Sequence, residues 1–401
     1  MKIKRVRYRD IEQIPRLEIR KEFKQDFSGS SPAPFIGRFG YPNINIGLLS
    51  PQFGGDTSHY DSPRLWSKGN FKIGSIAGLR YGLVNSRTKG GVLDVRKPNR
   101  MLDVIREVGM ASKAVELEVG LKKQPKLSLK PEKEVIPFGP QGEMRKVRMT
   151  ENAKVDSRVE RVVSDTDLKS APGLLSLYKK GFEENFLTKL ISVGNTGLGK
   201  NRRLVPTRWG ITAVDDTIGK QLIKEIKDFS VGDYGVYFGG GWGNYYLVMF
   251  FPEIWSFELF EMYLGHKINP WSKEGNFYST DYEGFGGRKS YAEECAGGYY
   301  ASRLPVLEKM KEMKRQGSAL VLRFITSEYN VPLGVWVCRE ATRKSLSEKG
   351  LSFGSEELMI TYCTELINRK FGFDLDLLLR ESKLLKEKKG QQKLSDFVPA
   401  L

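Results

Sequence analysis

The chain has 401 residues and carries 65 lysines and arginines against 48 aspartates and glutamates, a formal net charge of +17. This length supports a sizeable buried core and the apolar content is ordinary, which together exclude a small disulfide-stapled scaffold. The excess of cations favours a polyanionic partner, and nucleic acid is the commonest one. The sequence starts with charged residues and has no apolar run of about 18 residues, so we expect no membrane partner and a cytoplasmic, nucleoid-associated protein.

Cysteine and histidine are scarce. The three cysteines are widely spaced, and the histidines are His59 and His266. Such a set fits a reducing compartment without disulfides, and it offers too few ligands at workable spacing for a zinc site. Any bound metal is therefore expected to be Mg²⁺ or Mn²⁺ held by carboxylates.

The first third of the chain is predicted to contain loops and short elements. A basic arm, residues 1–27, is either a solvated face or a phosphate contact. Strands are predicted at residues 43–49 and 113–119 and a helix at residues 98–112, from their apolar periodicity. Lys, Pro and Gly fill residues 121–149, which we interpret as a long loop within a domain.

Two aspartates follow a glycine-flanked turn, GRFGYP, which contains Arg38 and Tyr41. Asp56 and Asp61 lie on either side of His59. Carboxylates at this spacing can hold a divalent ion or share proton transfer. They can equally form Asx turns, which are the more common use of aspartate before Thr-Ser or Ser-Pro.

The stretch from Lys189 to Lys220 carries the densest set of chemical groups. It is predicted to run from a helix at residues 173–190 through a strand at residues 190–193 into a glycine-rich turn. Clustered cations match phosphate geometry, and the candidate phosphate-binding residues are Arg38, Lys200, Arg202, Arg203, Thr207 and Arg208.

Two further interpretations concern this stretch. Gly194, Gly199 and Lys200 fit a phosphate-binding P-loop, but Asn201 replaces the required Ser or Thr and Pro206 interrupts the following helix. Asp215 and Asp216 are either catalytic carboxylates or the start of an amphipathic helix through a capping box.

The second half of the chain alternates predicted strands and helices. Strands are predicted at residues 245–251, 319–325 and 334–338, and a kinked or broken helix at 290–316 around Pro305. A short helix is predicted to carry Glu258 and Glu261 on one face, either as a metal-binding pair or as solvated surface, and two more helices are predicted at residues 355–370 and 374–389. Arg323 falls inside a strand and must face water or find a partner. These elements together predict an α+β fold with mixed sheets and packed helices.

Four motifs resemble the archaeal Nre DNA-repair protein family. They are SSPAPFIGRFGYP, GGDTSHYDSPRLW, RRLVPTRWGITAVDD and the pair RKSYAEECAGGYYASR and YNVPLGVWVCRE, and they follow one another in family order. Many family members begin with a cysteine-rich segment that looks like a zinc module, whereas this chain begins MKIKRVRYRD. The resemblance implies a role in DNA repair and a division into residues 1–275, 276–389 and 390–401.

The last residues, QQKLSDFVPAL, resemble the motif by which repair and replication proteins bind the sliding clamp, PCNA. Gln391, Leu394 and Phe397 fit the spacing Q-x-x-L-x-x-F, and Val398 stands where many such motifs have a second aromatic. One helical turn presents Leu394 and Phe397 on one side as apolar anchors. We expect residues 390–401 to be a disordered, clamp-binding tail.

Three classes of function remain open. The chain is a metal-dependent enzyme acting on damaged DNA, a non-catalytic adaptor between DNA and the clamp, or a nucleotide-using transferase built on the glycine–arginine stretch. The first class requires several of the candidate carboxylates to converge, namely Asp56, Asp61, Asp215, Asp216, Glu258 and Glu261. The sequence names no cofactor, lesion or strand preference.

Overall fold

The computed structural model describes residues 3–7, 22–125 and 135–390. The chain separates into two compact units. The first unit consists of Ile14–Ile218 and Val331–Trp336, and the second consists of Met1–Gln13, Gly219–Asn330 and Val337–Leu401. The division at residue 275 inferred from the sequence concerns regions of the family, and it stays a prediction.

Within the described residues the secondary structure is as follows. The strands are β1 (Lys4–Arg5), β2 (Asp26–Ser31), β3 (Ala33–Ile36), β4 (Asn43–Ser50), β5 (Val84–Gly91), β6 (Val115–Leu121), β7 (Gln141–Met149), β8 (Tyr234–Gly241), β9 (Asn244–Phe251), β10 (Ser256–Tyr263), β11 (Phe277–Glu283), β12 (Ser318–Ile325) and β13 (Leu351–Phe353). The helices are α1 (Pro63–Lys68), α2 (Ile73–Tyr81), α3 (Arg100–Met110), α4 (Ser157–Ser164), α5 (Ser170–Lys179), α6 (Glu184–Ser192), α7 (Thr207–Ile226), α8 (Gly297–Met313), α9 (Trp336–Ser347), α10 (Glu356–Phe371), α11 (Asp376–Leu379) and α12 (Lys383–Gly390).

The first unit is built on a six-stranded mixed sheet in the order β2-β6-β7-β5-β4-β3, in which β5 and β7 are parallel. Strand β6 alternates because Val115, Leu117 and Val119 are buried in the core while the intervening glutamates are not. Helix α3 buries one apolar face in the same core, and Asn99 caps it by accepting a hydrogen bond from the Leu102 amide at 3.2 Å.

The second unit is built on a seven-stranded mixed sheet in the order β1-β11-β10-β12-β9-β8-β13. Strand β10 runs parallel to β12, and every residue of both strands is buried. A strand buried on both faces often reads as a continuous apolar run, and β12 does so over Ala319–Leu322 before Arg323 interrupts it. Helices α10, α11 and α12 contribute apolar side chains to the core on this sheet.

The α+β class with mixed sheets and packed helices is confirmed. Several local predictions were wrong. The predicted strand at 190–193 is the end of α6 and the residues after it, and the predicted strand at 334–338 runs into helix α9. The predicted helix at 374–389 is two short helices, α11 and α12, and α8 continues through Pro305. The region 121–149, predicted to be a loop, contains β7.

Candidate nucleic-acid interface

The glycine-rich stretch after α6 is a tight turn. Gly194 has φ +70°, and a Cβ there would lie 2.9 Å from the carbonyl oxygen of Arg203. Glycine is needed at this position because an L side chain rarely adopts that backbone conformation and would meet the returning chain. A single 3₁₀ turn, Gly199–Asn201, follows, and α7 begins only at Thr207. The P-loop interpretation is wrong because no helix starts at Lys200.

The cations of this stretch have different surroundings. Arg202 donates hydrogen bonds to the carbonyl oxygens of Gly197 at 2.9 Å and Val163 at 2.6 Å, and burial lowers its pKa. Its guanidinium therefore holds the turn to the last turn of α4. Lys200 and Arg203 are exposed, and Arg208 is half-buried in the first turn of α7. Binding of phosphate by these cations stays a prediction.

The GRFGYP turn between β3 and β4 lies beside this stretch. The Val92 amide donates to the carbonyl oxygen of Pro42 at 3.0 Å, and the Leu204 amide donates to that of Val92 at 2.8 Å. The Thr207 hydroxyl accepts a hydrogen bond from the Ile36 amide at 2.9 Å. These bonds place two segments that are far apart in the sequence at one surface of the first unit.

Three large aromatic side chains are exposed at this surface. Phe39 is 64% exposed, Tyr41 46% and Trp209 45%. The ring centroids of Tyr41 and Trp209 lie 5.2 Å apart, and the Arg38 guanidinium lies 4.6 Å above the ring of Phe39. Together with Arg203 these residues form what we name the aromatic–arginine face.

Such a face can bind single-stranded nucleic acid because exposed rings stack on bases and cations neutralise phosphates. The sequence analysis did not identify Phe39. A signal for it was present, since the phenylalanine lies between an arginine and a glycine in a turn, where burial is not expected.

Asp56 forms the ordinary turn that the sequence allowed. Its carboxylate accepts a hydrogen bond from the Ser58 amide at 3.1 Å, and this bonding to Ser58 lowers its pKa. His59 places its ring against that of Tyr60, with 4.6 Å between centroids. Asp56 is thus an exposed Asx-turn residue.

Asp61 has a structural role in the first unit. Its carboxylate pairs with the Arg80 guanidinium at 2.7 Å, and both side chains are buried. Asn185 donates a second hydrogen bond to that carboxylate at 2.8 Å, and Arg80 also donates to the carbonyl oxygen of Pro137. A carboxylate engaged in this way fixes the loop before α1 to helices α2 and α6.

Asp215 and Asp216 lie inside α7, several residues beyond its start at Thr207, and Asp215 is buried. The predicted helix start at Asp215 is therefore wrong; a proline directly before the first helical residue was the better signal. In the part of the chain that the structure describes, no group of three or more His, Cys, Asp or Glu side chains is arranged to hold a metal ion.

Glu258 and Glu261 are both buried in strand β10 of the second unit, so the predicted short helix and its solvated surface were wrong. Because a strand alternates, residues three apart point to opposite faces. Glu261 pairs with Arg323, whose guanidinium also donates to the Asn244 side chain. Burial raises the pKa of both glutamates. Of the two alternatives given for Arg323, facing water or finding a partner, the structure shows the second.

A small pocket with a mostly apolar lining and several polar groups, which we name the Lys189 pocket, lies in the first unit. It has a volume of about 40 Å³ and is lined by side chains of β3, α6 and the first turns of α7, with Asp61 and Arg80 at its wall. Its polar lining includes Asn185, Lys189, Ser192 and Thr207. Sequence analysis placed none of these except Thr207 in a site, because they come together only in the folded chain.

The predicted clamp-binding residues Gln391, Leu394, Phe397 and Val398 lie outside the described residues. The three cysteines are buried and unpaired. Among the described helices, none is long and apolar enough to cross a membrane.

Comparison with known proteins identifies the family. A family model described as "Archaeal Nre, N-terminal" matches residues 8–272, and one described as "Archaeal Nre, C-terminal" matches residues 283–397. The chain is 33% identical to a protein of Archaeoglobus fulgidus named DNA repair protein NreB, over 95% of this chain and 94% of the relative. It is 36% identical to DNA repair protein NreA of Haloferax volcanii, over 79% and 77% of the two chains.

A further relative, DNA repair protein NreA of Archaeoglobus fulgidus, is 34% identical over 87% of this chain and 88% of its own length. No solved structure matches. Two family models covering nearly the whole chain, and relatives aligned over most of their length, are decisive: the chain is a member of the archaeal Nre family.

Proposed function

We propose that this chain is a DNA repair protein that binds DNA through the aromatic–arginine face and is recruited to the sliding clamp PCNA by its C-terminal Gln-x-x-Leu-x-x-Phe motif. The names of three relatives in the same family support the repair role. The net charge of +17 supports a polyanionic partner.

The observation that carries the DNA-binding part is the exposure of Phe39, Tyr41 and Trp209, with Arg38 above the ring of Phe39. Arg203 is exposed in the adjoining segment, whose Leu204 amide donates to the carbonyl oxygen of Val92. Exposed rings lose favourable burial, and three of them on one surface are typical of a binding site. Rings next to cations favour unpaired bases over intact duplex, because stacking needs a free base face.

The positions of the candidate carboxylates support a binding role over a metal-dependent enzyme. Asp61 is committed to Arg80, Glu261 to Arg323, and Glu258 to the start of α12. Asp56 closes its own turn. The ion pairs of Asp61 and Glu261 would have to break before either carboxylate could bind an ion.

The DNA-binding proposal is tested with fluorescence anisotropy of labelled single-stranded and duplex DNA over a salt series. Trp209→Ala is expected to weaken single-strand binding by about 1–3 kcal/mol through lost stacking. Arg203→Ala is expected to flatten the salt slope by about 0.7, because one fewer counterion is released. Matched controls are Phe53→Ala, an aromatic 46% exposed elsewhere in the first unit, and Arg148→Ala, an exposed arginine of β7.

Equal affinities for wild type, Trp209→Ala and Phe53→Ala would contradict a stacking role for the face. If Arg203→Ala and Arg148→Ala change the salt slope equally, Arg203 makes no specific phosphate contact and the net charge of the protein explains the salt dependence.

The clamp proposal is tested by calorimetry of the full-length chain with the clamp of the same organism. Phe397→Ala removes the larger apolar anchor and is expected to cost about 2 kcal/mol or more, roughly thirtyfold in affinity. Gln392→Ala changes a neighbouring residue that the motif does not use and is the control. Equal affinities for both variants and wild type would remove the tail from the interaction.

A further inference from the structure

The Lys189 pocket carries positive charge that its own residues do not neutralise. The Lys189 ammonium donates a hydrogen bond to the carbonyl oxygen of Pro32 at 3.2 Å, and among the described residues it has no carboxylate within ion-pair distance. Burial lowers its pKa. Two carboxylates act on it electrostatically, Asp61 and Glu183, and Asp61 is already matched by Arg80. The side chains that line the pocket therefore comprise two basic groups and one acidic group.

Ser192 at the same pocket has a hydroxyl with no hydrogen-bond partner among the described residues, although the residue is only 1% exposed. Leaving a buried hydroxyl unpaired costs free energy, and a ligand atom that hydrogen-bonded to it would offset that cost. Gly210 makes room for it, since a Cβ at that position would lie 2.7 Å from the Ser192 oxygen.

The start of α7 adds to the positive character of the pocket. This helix has 20 residues, and its first residue, Thr207, lines the pocket. The N-terminus of a long helix carries about half a positive charge. In α7 the Trp209 and Gly210 amides already donate to the carbonyl oxygen of Pro206. The Thr207 oxygen accepts the Ile36 amide, so its hydroxyl hydrogen can still donate.

Lysine, serine, threonine and a helix N-terminus are all donors, so their common ligand is an acceptor with negative charge. The volume of about 40 Å³ admits a compact group and excludes a sugar or a base. We propose that the Lys189 pocket binds a phosphate group, either as free inorganic phosphate or as the terminal phosphomonoester of a nucleic-acid strand. Binding of free phosphate does not depend on the proposed function. Binding of a strand end does, because it requires that the protein binds DNA.

The first test uses inorganic phosphate and the full-length chain, without DNA. Thermal unfolding is measured with phosphate and with chloride at matched ionic strength, and binding is measured by calorimetry. Phosphate is expected to raise the melting temperature of wild type, because a ligand that binds only the folded state stabilises it. Lys189→Met is expected to abolish the increase. Lys179→Met, an exposed lysine at the end of α5, is the control and should keep it.

Ser192→Ala provides a signature that a structural role would not give. Removing an unpaired buried hydroxyl should leave the phosphate-free melting temperature unchanged or higher, while phosphate binding weakens by about tenfold through loss of one charge-assisted hydrogen bond. A wild type that ignores phosphate, or variants that all respond equally, would overturn the proposal. A Ser192→Ala protein that is destabilised without phosphate would also overturn it, since the hydroxyl would then have a partner within the fold.

The second test separates the two sources of phosphate. Wild type and Ser192→Ala are titrated with a single strand ending in a 5′-phosphate, a 3′-phosphate or hydroxyls at both ends. Tighter binding of one phosphorylated end by wild type, lost in Ser192→Ala, supports the strand-end source. Equal binding of all three strands overturns that source while leaving the free-phosphate source supported by the first test. Absence of any DNA binding contradicts the proposed function without affecting the first test.

Discussion

Glu258 holds the first turn of α12 from a strand more than a hundred residues earlier. Its carboxylate accepts hydrogen bonds from the Ser382 hydroxyl at 2.6 Å and from the Lys383 and Leu384 amides at 2.9 Å each. A carboxylate at a helix N-terminus satisfies amides that the helix itself cannot pair. We therefore expect Glu258→Ala to release α12 from the sheet.

The magnitude follows from which donors are buried. The Ser382 hydroxyl and the Leu384 amide are buried and close to the carboxylate, the buried Thr280 hydroxyl donates over a longer 3.4 Å, and the Lys383 amide is partly exposed and can turn to water. The two short buried bonds dominate, and a buried donor left without an acceptor costs about 1–3 kcal/mol. Burial desolvates the carboxylate of Glu258, which is unfavourable and raises its pKa. Removing the carboxylate recovers this desolvation cost and so offsets part of the loss of stability. We expect a net loss of about 2–4 kcal/mol.

Urea unfolding measures the free energy, and hydrogen exchange over residues 383–390 measures the release of α12. An eight-residue helix is marginal in isolation, so its amides should lose protection in Glu258→Ala while those of β10 keep theirs. Glu258→Gln should lie between, because one oxygen remains. The matched control is Glu381→Ala, an exposed carboxylate next to the same helix. A Glu258→Ala protein within about 0.5 kcal/mol of the control would refute the reasoning.

Three more outcomes are expected. All three cysteines are buried, and burial raises the pKa of Cys363 to about 12. A thiol reagent at about pH 8 should therefore label none of them in the native protein and all three after denaturation. Rapid labelling of the native protein would contradict this burial. Burial raises the pKa of Glu261, so the folded state binds its proton more tightly than the unfolded state does. The stability of wild type relative to Glu261→Gln should therefore be greatest below the ordinary glutamate pKa and decrease as pH rises through the raised pKa. Urea titrations from about pH 4 to about pH 8 measure this difference in unfolding free energy, and an increase of the difference with pH would contradict the prediction. Gly194→Ala should lower the unfolding free energy by at least about 1 kcal/mol more than Gly181→Ala. Both positions have positive φ, but only at Gly194 would a Cβ meet a backbone oxygen. Equal decreases of the denaturant midpoint in the two variants would show that this steric clash does not affect stability.

The regular elements with one clear period could be predicted from the sequence. Strand β6 alternates, β9 is a continuous apolar run ended by a proline, and α3 repeats its apolar residues every three or four positions with an asparagine before them. In each case local pattern and tertiary burial agree, so the local pattern was sufficient. The family motifs likewise identified the family before any coordinate was known.

Some sequence patterns fit both a helix and a strand, and contacts with residues far away in the sequence determine which one forms. Glu258 and Glu261 have helical spacing, yet they lie in a central strand because Arg323 and the start of α12 supply partners for buried carboxylates. The four-residue apolar run at Leu190 fits a strand or a buried helix end equally well. The Lys189 pocket was not predictable, because its members come from segments that only the fold brings together.

Helix α12 is the last described element before the proposed clamp motif. The helix is fixed at its first turn by Glu258 and farther along by an ion pair between Lys388 and Glu356, and Gly390 is the last residue that the structure describes. Gln391, the first residue of the motif, follows directly, so the basic segment before the motif is a folded helix and not a spacer. A partner that binds Gln391 must approach to within about one residue, roughly 3.5 Å of chain, of the second unit. With such a short connection, a partner bound at Gln391 would be held at a fixed short distance from the second unit. A long flexible linker would instead only raise the effective concentration of the partner near the protein.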